Sequence, residues 1–172
     1  MSVLNADLGW GSANYQLAVY FENKPPVEVY QLTPGVNPLS HAEFSHIIQN
    51  SSNNWRKLFN CYAKLAFALD AKGFESWQNL RDAEMLGCRS EAALLFSKPN
   101  FEQESNRIHI ISGRTYAAML NLPFELNWLS PQFAINTQFN CIVSPYFDYR
   151  QLSNERLATL VKLVKSLATK NR

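Results

Sequence analysis

Ser144-Pro145-Tyr146-Phe147-Asp148-Tyr149-Arg150 packs hydroxyls, rings, a carboxylate and a guanidinium into one short run. A ring beside a guanidinium can stack a planar ligand while the cation pairs with that ligand's phosphate or carboxylate. The same residues can equally close a hydrophobic core, with Asp148 and Arg150 paired to each other. Two other segments place polar groups directly after an apolar run: Glu22-Asn23-Lys24-Pro25-Pro26 and Ser112-Gly113-Arg114. In an open α/β sheet, ligands bind beyond the carboxyl ends of the strands, so these three loops are the expected site. Its residues are Asn23, Gly113, Arg114, Ser144, Tyr146, Phe147, Asp148 and Arg150.

Other chemistries lack their residues. His41 and His46 are five residues apart, not the i, i+4 pair that shares a helix face, and His109 lies inside an apolar run. Cys61, Cys88 and Cys141 are odd in number and never in C-x-x-C spacing, so neither a zinc site nor a disulfide framework is expected. There is no G-x-S-x-G elbow, no G-x-G-x-x-G and no G-K-[ST]. No cofactor and no metal are therefore expected. Of the four aspartates, Asp7, Asp70, Asp82 and Asp148, only the last falls on a candidate loop.

The elements that must carry these loops follow from periodicity. Tyr15 to Phe21 is rich in β-branched and aromatic residues and reads as a strand stopped by Pro25-Pro26. Val27 to Leu32 reads as a second short strand and Thr33-Pro34-Gly35 as a turn. Ser40-His41-Ala42-Glu43 has the form of a capping box, with Leu39 and Phe44 at the staple positions. Trp55, Leu58, Phe59, Tyr62, Leu65, Ala66 and Leu69 make one stripe on a 3.6-residue period, the clearest helix in the chain, with Gly73 placed to cap its end. A further helix is expected from Glu75 to Leu86, closed by Gly87. Ser90 to Ser97 suits a helix or a buried strand. Ile108 to Ser112, Gly113 and the helix-forming Arg114 to Asn121 make a βα unit. Phe124 to Leu129 is a short segment before the Ser130-Pro131 break. Phe139 to Val143 reads as a strand, and a last helix starts at Ser153 and buries Leu157, Leu160, Val161, Val164, Leu167 and Ala168.

At 172 residues, with 47% hydrophobic and 17% charged residues, the chain suits one core and one domain spanning 1–172. Its 11 Phe, 7 Tyr and 4 Trp suit core packing more than a stacking surface. The net charge of +2 neither demands nor excludes nucleic acid, and the terminal lysines suit a helix end. Charge interrupts every apolar stretch well short of the roughly 20 residues that span a membrane, no signal peptide is present, and free thiols suit a reducing compartment. The expectation is a soluble cytoplasmic α/β protein with no membrane partner. Its fold should be a single layered domain, with a mainly parallel central sheet covered by helices on both faces.

Leu17-Ala18-Val19-Tyr20-Phe21 runs into Glu22-Asn23-Lys24-Pro25-Pro26. A helix then opens Asn53-Asn54-Trp55-Arg56-Lys57-Leu58. Ile108-His109-Ile110-Ile111-Ser112-Gly113-Arg114-Thr115-Tyr116-Ala117 follows, and Ile142-Val143-Ser144-Pro145 closes the series. This order, from about Tyr15 to Leu167, resembles the uracil-DNA glycosylase superfamily in its broad sense. That family has a parallel sheet flanked by helices, an early G-I-N-P-G or G-x-D-P-Y motif that positions the attacking water, and a late His-Pro-Ser-Pro-like loop that supports the flipped base. The resemblance implies a water-orienting role for Asn23 and a base pocket formed with Gly113 and the Tyr146 to Arg150 loop. The departures are specific. The first motif lacks its glycines and has an extra residue between Asn23 and Pro25. Ile142 stands where the family's His would stabilise charge on the base, an electrostatic contribution that such sites depend on.

Two functional classes follow. One is a glycosylase-like enzyme or a protein binding nucleic acid or a nucleobase-like ligand, with Tyr146, Phe147 and Arg150 supplying stacking and phosphate contacts. The other is a catalytically inactive α/β module that binds a protein partner or a small ligand.

Overall fold

The computed structural model describes residues 7–101 and 106–170. In chain order it contains β1 (Leu8–Trp10), β2 (Leu17–Tyr20), β3 (Gly35–Asn37), α1 (His41–Asn50), α2 (Asn53–Leu69), α3 (Trp77–Glu84), β4 (Ala92–Leu95), β5 (Ile108–Ser112), α4 (Arg114–Met119), β6 (Asn127–Trp128), β7 (Ala134–Asn136), β8 (Cys141–Ser144) and α5 (Asn154–Lys170).

The strands form one eight-stranded sheet in the order β3-β1-β4-β2-β5-β8-β7-β6. Its centre, β4-β2-β5-β8, is parallel throughout. Every residue of β2, β5 and β8 is buried, which is why these strands read as unbroken apolar runs rather than alternating ones. The margins are mixed. β1 runs antiparallel to β4 and parallel to β3, while β7 and β6 continue from β8 antiparallel. The sheet is thus mostly, not purely, parallel.

Successive strand residues point to opposite sides, and the core divides accordingly. Leu17, Val19, Phe21, Leu94, Ile108, Ile110 and Ile142 join a cluster with Phe44 and Ile47 of α1, Leu58, Phe59 and Leu65 of α2, and Leu160, Val164 and Leu167 of α5. Ala18, Tyr20, Ala93, Leu95, Ile111 and Val143 join a second cluster with Tyr116 and Ala117 of α4 and the flanking Phe101, Leu122 and Phe124. Tyr62 pins α2 to the sheet by donating its hydroxyl to the Ala93 carbonyl at 2.6 Å. The α1 start is the expected capping box: Ser40 Oγ accepts from Glu43 N, and Glu43 Oε1 accepts from Ser40 N, both at 3.1 Å.

The structure corrects several expectations. Val27 to Leu32 forms no strand. Two consecutive prolines turn the chain instead, and the Pro26 carbonyl accepts from both Val29 N and Tyr30 N. Gly35, expected in a turn, opens β3 with φ +91. Gly73 does adopt positive φ, but in a turn beyond α2, whose end is the extended Asp70. The run at 90–97 resolves as strand β4, because its neighbours β1 and β2 take up its backbone groups. β1 lies so close to β4 that a side chain at Gly9 would overlap the Leu94 carbonyl oxygen.

Candidate functional site

The parallel register brings the expected loops together. Tyr20 is opposite Ile111 and Ser112 is opposite Ser144, so β2, β5 and β8 end side by side. Beyond them Gly113 N donates to the Ser144 carbonyl at 2.9 Å, and Phe147 N donates to Ser112 Oγ at 3.2 Å. Gly113 holds φ +104, a conformation that side chains rarely adopt, and a Cβ there would only touch Tyr146. The Asn23 side chain lies near the Tyr146 hydroxyl. Burial pushes that hydroxyl's pKa upward, Asn23 lowers it and the nearby Asp148 raises it. Asn23, Gly113 and Tyr146 therefore share one rim.

The remaining candidates are dispersed. Phe147 is fully buried, edge-on to Phe21 at 5.3 Å and to Tyr62 at 5.8 Å, so its ring plugs the core rather than stacking a ligand. Ser144 is also fully buried, and its hydroxyl donates to the Pro145 carbonyl at 2.9 Å. Arg114 donates to the Pro131 carbonyl at 3.2 Å and lies 4.7 Å from the Trp128 ring. Asp148 does engage Arg150, but through the backbone: its Oδ1 accepts from Arg150 N at 2.8 Å. The Arg150 guanidinium instead lies 5.9 Å from the Tyr149 ring, which Lys57 of α2 also approaches at 5.0 Å. One short loop thus sends Tyr146 to the rim, Phe147 into the core and Tyr149 toward α2.

A separate cavity lies at the opposite end of the strands. It holds about 560 Å³ and opens where β2, β4 and β5 begin, bounded by α2, α3 and the last turns of α5. Leu17, Leu69, Leu80, Met85, Ile108 and Val164 make its apolar walls. Asp70, Lys72, Glu84, Glu91, Lys165 and Thr169 bring polar groups to it. Lys72 and Glu84 pair across it at 3.2 Å, and Asp70 Oδ1 accepts from Lys72 N at 3.0 Å. None of the residues expected at the site lines this cavity. Its walls come from five separated stretches of chain, so no local spacing announces them.

Sequence reading also missed two polar pairs. Tyr15 donates to Asp7 Oδ2 at 2.7 Å, and the nearby Tyr20 Oη meets His109 Nδ1 at 2.7 Å. Burial, aided by the Arg107 charge, pushes His109 down to about 4, so its ring is neutral at pH 7. Burial likewise pushes Cys61 up to about 11 and Cys141 up to about 12, which leaves both as thiols. His41 contacts the Asp82 carbonyl and His46 contacts Asn50, so none of the three histidines faces the rim. Among the described residues no group of three or more His, Cys, Asp or Glu is placed to hold a metal ion. No helix among them is long and apolar enough to cross a membrane.

No curated protein and no solved structure matches this chain. Residues 8–165 match one family model, which takes in every strand of the described residues and the first twelve residues of α5. By that match the chain belongs to the family described as Family of unknown function (DUF6942).

Proposed function

We propose that this chain is a ligand-binding α/β module whose cavity at the amino end of the sheet takes a small amphipathic molecule. The observation that carries this reading is the cavity itself, about 560 Å³ with apolar walls and charged groups at its margin. Ligand sites typically enclose about 300–1,000 Å³, mostly apolar with a few polar groups that fix orientation. The reading takes the sheet as the middle of three layers, with α1, α2 and α5 on one face and α4 on the other. That arrangement leaves the strand starts uncovered between α2, α3 and α5. A cytoplasmic setting belongs to the same reading, since free thiols suit a reducing compartment.

The test is a thermal-shift series with decanol, decylamine and decanoic acid. At least one is expected to raise Tm in a concentration-dependent way, and the head group that does so identifies the polar end. Leu80→Trp, which puts an indole into the space, should remove the shift while the protein stays folded. If all three probes leave Tm unchanged at millimolar concentration, the cavity is not a site for this class.

A second reading keeps the glycosylase-like expectation at the carboxyl rim. It is favoured by one observation, the Asn23 amide beside the Tyr146 hydroxyl and the Gly113 turn. Such groups can hydrogen bond the edge of an extruded base. Incubation with uracil-containing single-stranded DNA, followed by alkaline cleavage of abasic sites, tests it directly. Strand scission that disappears in Asn23→Ala supports this reading, and intact DNA after prolonged incubation rejects it.

A further inference from the structure

α2 buries one stripe and turns another outward. Asn53, Arg56, Lys57, Asn60 and Lys64 recur at i, i+3, i+4, i+7 and i+11, beside the buried stripe. Their outer face forms a groove of about 290 Å³ that ends in Tyr149 on one side and Trp77 of α3 on the other. Each ring carries cations. Lys57 Nζ is 5.0 Å and the Arg150 guanidinium 5.9 Å from the Tyr149 ring. Lys64 Nζ is 5.2 Å and the Arg81 guanidinium 5.3 Å from the Trp77 ring.

Charge at this groove is one-sided. Arg56, Lys57 and Lys64 are the charged residues that line it, and Arg81 and Arg150 stand beside its rings. Asp82 pairs with Arg81 at 2.9 Å, and Asp148 accepts from the Arg150 amide at 2.8 Å. Among the described residues Arg56, Lys57, Lys64 and Arg150 make no ion pair. The local surplus of cations exceeds the +2 net charge of the whole chain. Tyr149 remains 51% exposed, so a face of its ring is open to a ligand.

We propose that this groove binds single-stranded nucleic acid. Cations that track phosphates and rings that stack bases are the two components of sequence-tolerant strand binding. Lys57 and Lys64 stand two helical turns apart, about 10 Å, which is about three stacked bases at roughly 3.4 Å each. A duplex keeps its base faces stacked away from such rings, whereas a single strand offers them. The groove shares no lining residue with the cavity at the amino end of the sheet, so either site can fail without the other.

Fluorescence anisotropy with a labelled twelve-residue oligothymidylate at low salt tests the proposal on the full chain. Binding is expected, with log K falling linearly against log salt as condensed ions are released. Lys57→Gln with Lys64→Gln should lower affinity tenfold or more and flatten the salt slope. Tyr149→Ala should lower affinity roughly tenfold while the slope stays near that of wild type, because it removes stacking and not charge. Trp128→Phe leaves Trp77 as the partly exposed indole, and its emission should be quenched by the oligonucleotide. That quench in otherwise wild-type protein tests the site even if a groove variant fails to fold. Absence of binding at low salt would overturn the proposal. So would equal affinity for duplex DNA, for polyglutamate or for thymidine monophosphate, or binding that all three groove substitutions leave intact.

Discussion

Along β2, Val19 enters a cluster with Phe59, Leu65 and Phe96, while its neighbour Tyr20 enters one that leads to Tyr15, His109 and Cys141. The first cluster takes residues from α1, α2 and α5, and the Tyr62 hydroxyl buried there is met by the Ala93 carbonyl. The second takes Tyr116 and Ala117 from the six-residue α4, and two polar pairs lie with it, Tyr15 with Asp7 and Tyr20 with His109. Helices satisfy their own backbone and can offer purely apolar faces. The second cluster has fewer helical residues, and hydrogen-bonded polar pairs lie with it. Burying such groups costs little while each has a partner and a great deal once one is left alone. One side should therefore respond to lost volume and the other to pH.

The largest expected effect is in the first cluster. Phe59→Ala removes a fully buried ring that touches Trp10, Phe44 and Trp55, and should cost about 3–5 kcal/mol in urea unfolding, by the same amount at pH 7 and pH 5. The second cluster should carry the pH dependence. His109 is held near 4, below its ordinary 6.5, by burial and by Arg107, and Tyr20 and Phe101 are its other close neighbours. The unfolded chain therefore binds a proton that the folded one refuses. Stability is full above about pH 6.5 and is lost as pH falls toward 4, by up to about 3 kcal/mol. His109→Phe should flatten that slope in unfolding curves taken between pH 7 and pH 4.5. A slope that persists unchanged would move the pH sensitivity elsewhere. Tyr62→Phe keeps the ring and deletes its bond to the Ala93 carbonyl, so a loss of about 1–2 kcal/mol is expected. Ser40→Ala, which breaks the capping box far from either contrast, should cost about 1 kcal/mol in the same assay.

How much was legible depended on how local the cause was. The α1 box, the α2 stripe and the Ser153 start of α5 each depend on residues within a few turns of one another, and each formed where the spacing placed it. The three-residue β1 and β3 carry too few positions for a period and exist because a distant strand accepts them. The rim was partly legible: strand order brought Asn23, Gly113 and Tyr146 together, but the turn at Asp148 decided which way each ring of the late loop faced. Gln151 N and Leu152 N both close on the Asp148 carbonyl, a geometry that composition does not announce. The cavity was illegible, since its walls are drawn from residues such as Leu17, Leu69, Met85, Ile108 and Val164 that meet only in the fold. The outward stripe of α2 was written in the spacing of Arg56, Lys57 and Lys64, yet its rings arrive from α3 and from the late loop.

The strand order also sets a timetable for synthesis. β2 is made early, but both of its neighbours come late: Leu17 pairs with Ala92 on one edge and Ile108 on the other. At about 5–20 residues per second, a ribosome needs roughly 5–20 s between them. Throughout that interval an apolar strand waits with two bare edges, the form most prone to sticking to other nascent chains. Yield in a cell should therefore depend on holdase chaperones and elongation speed even though the finished molecule leaves neither edge of β2 open.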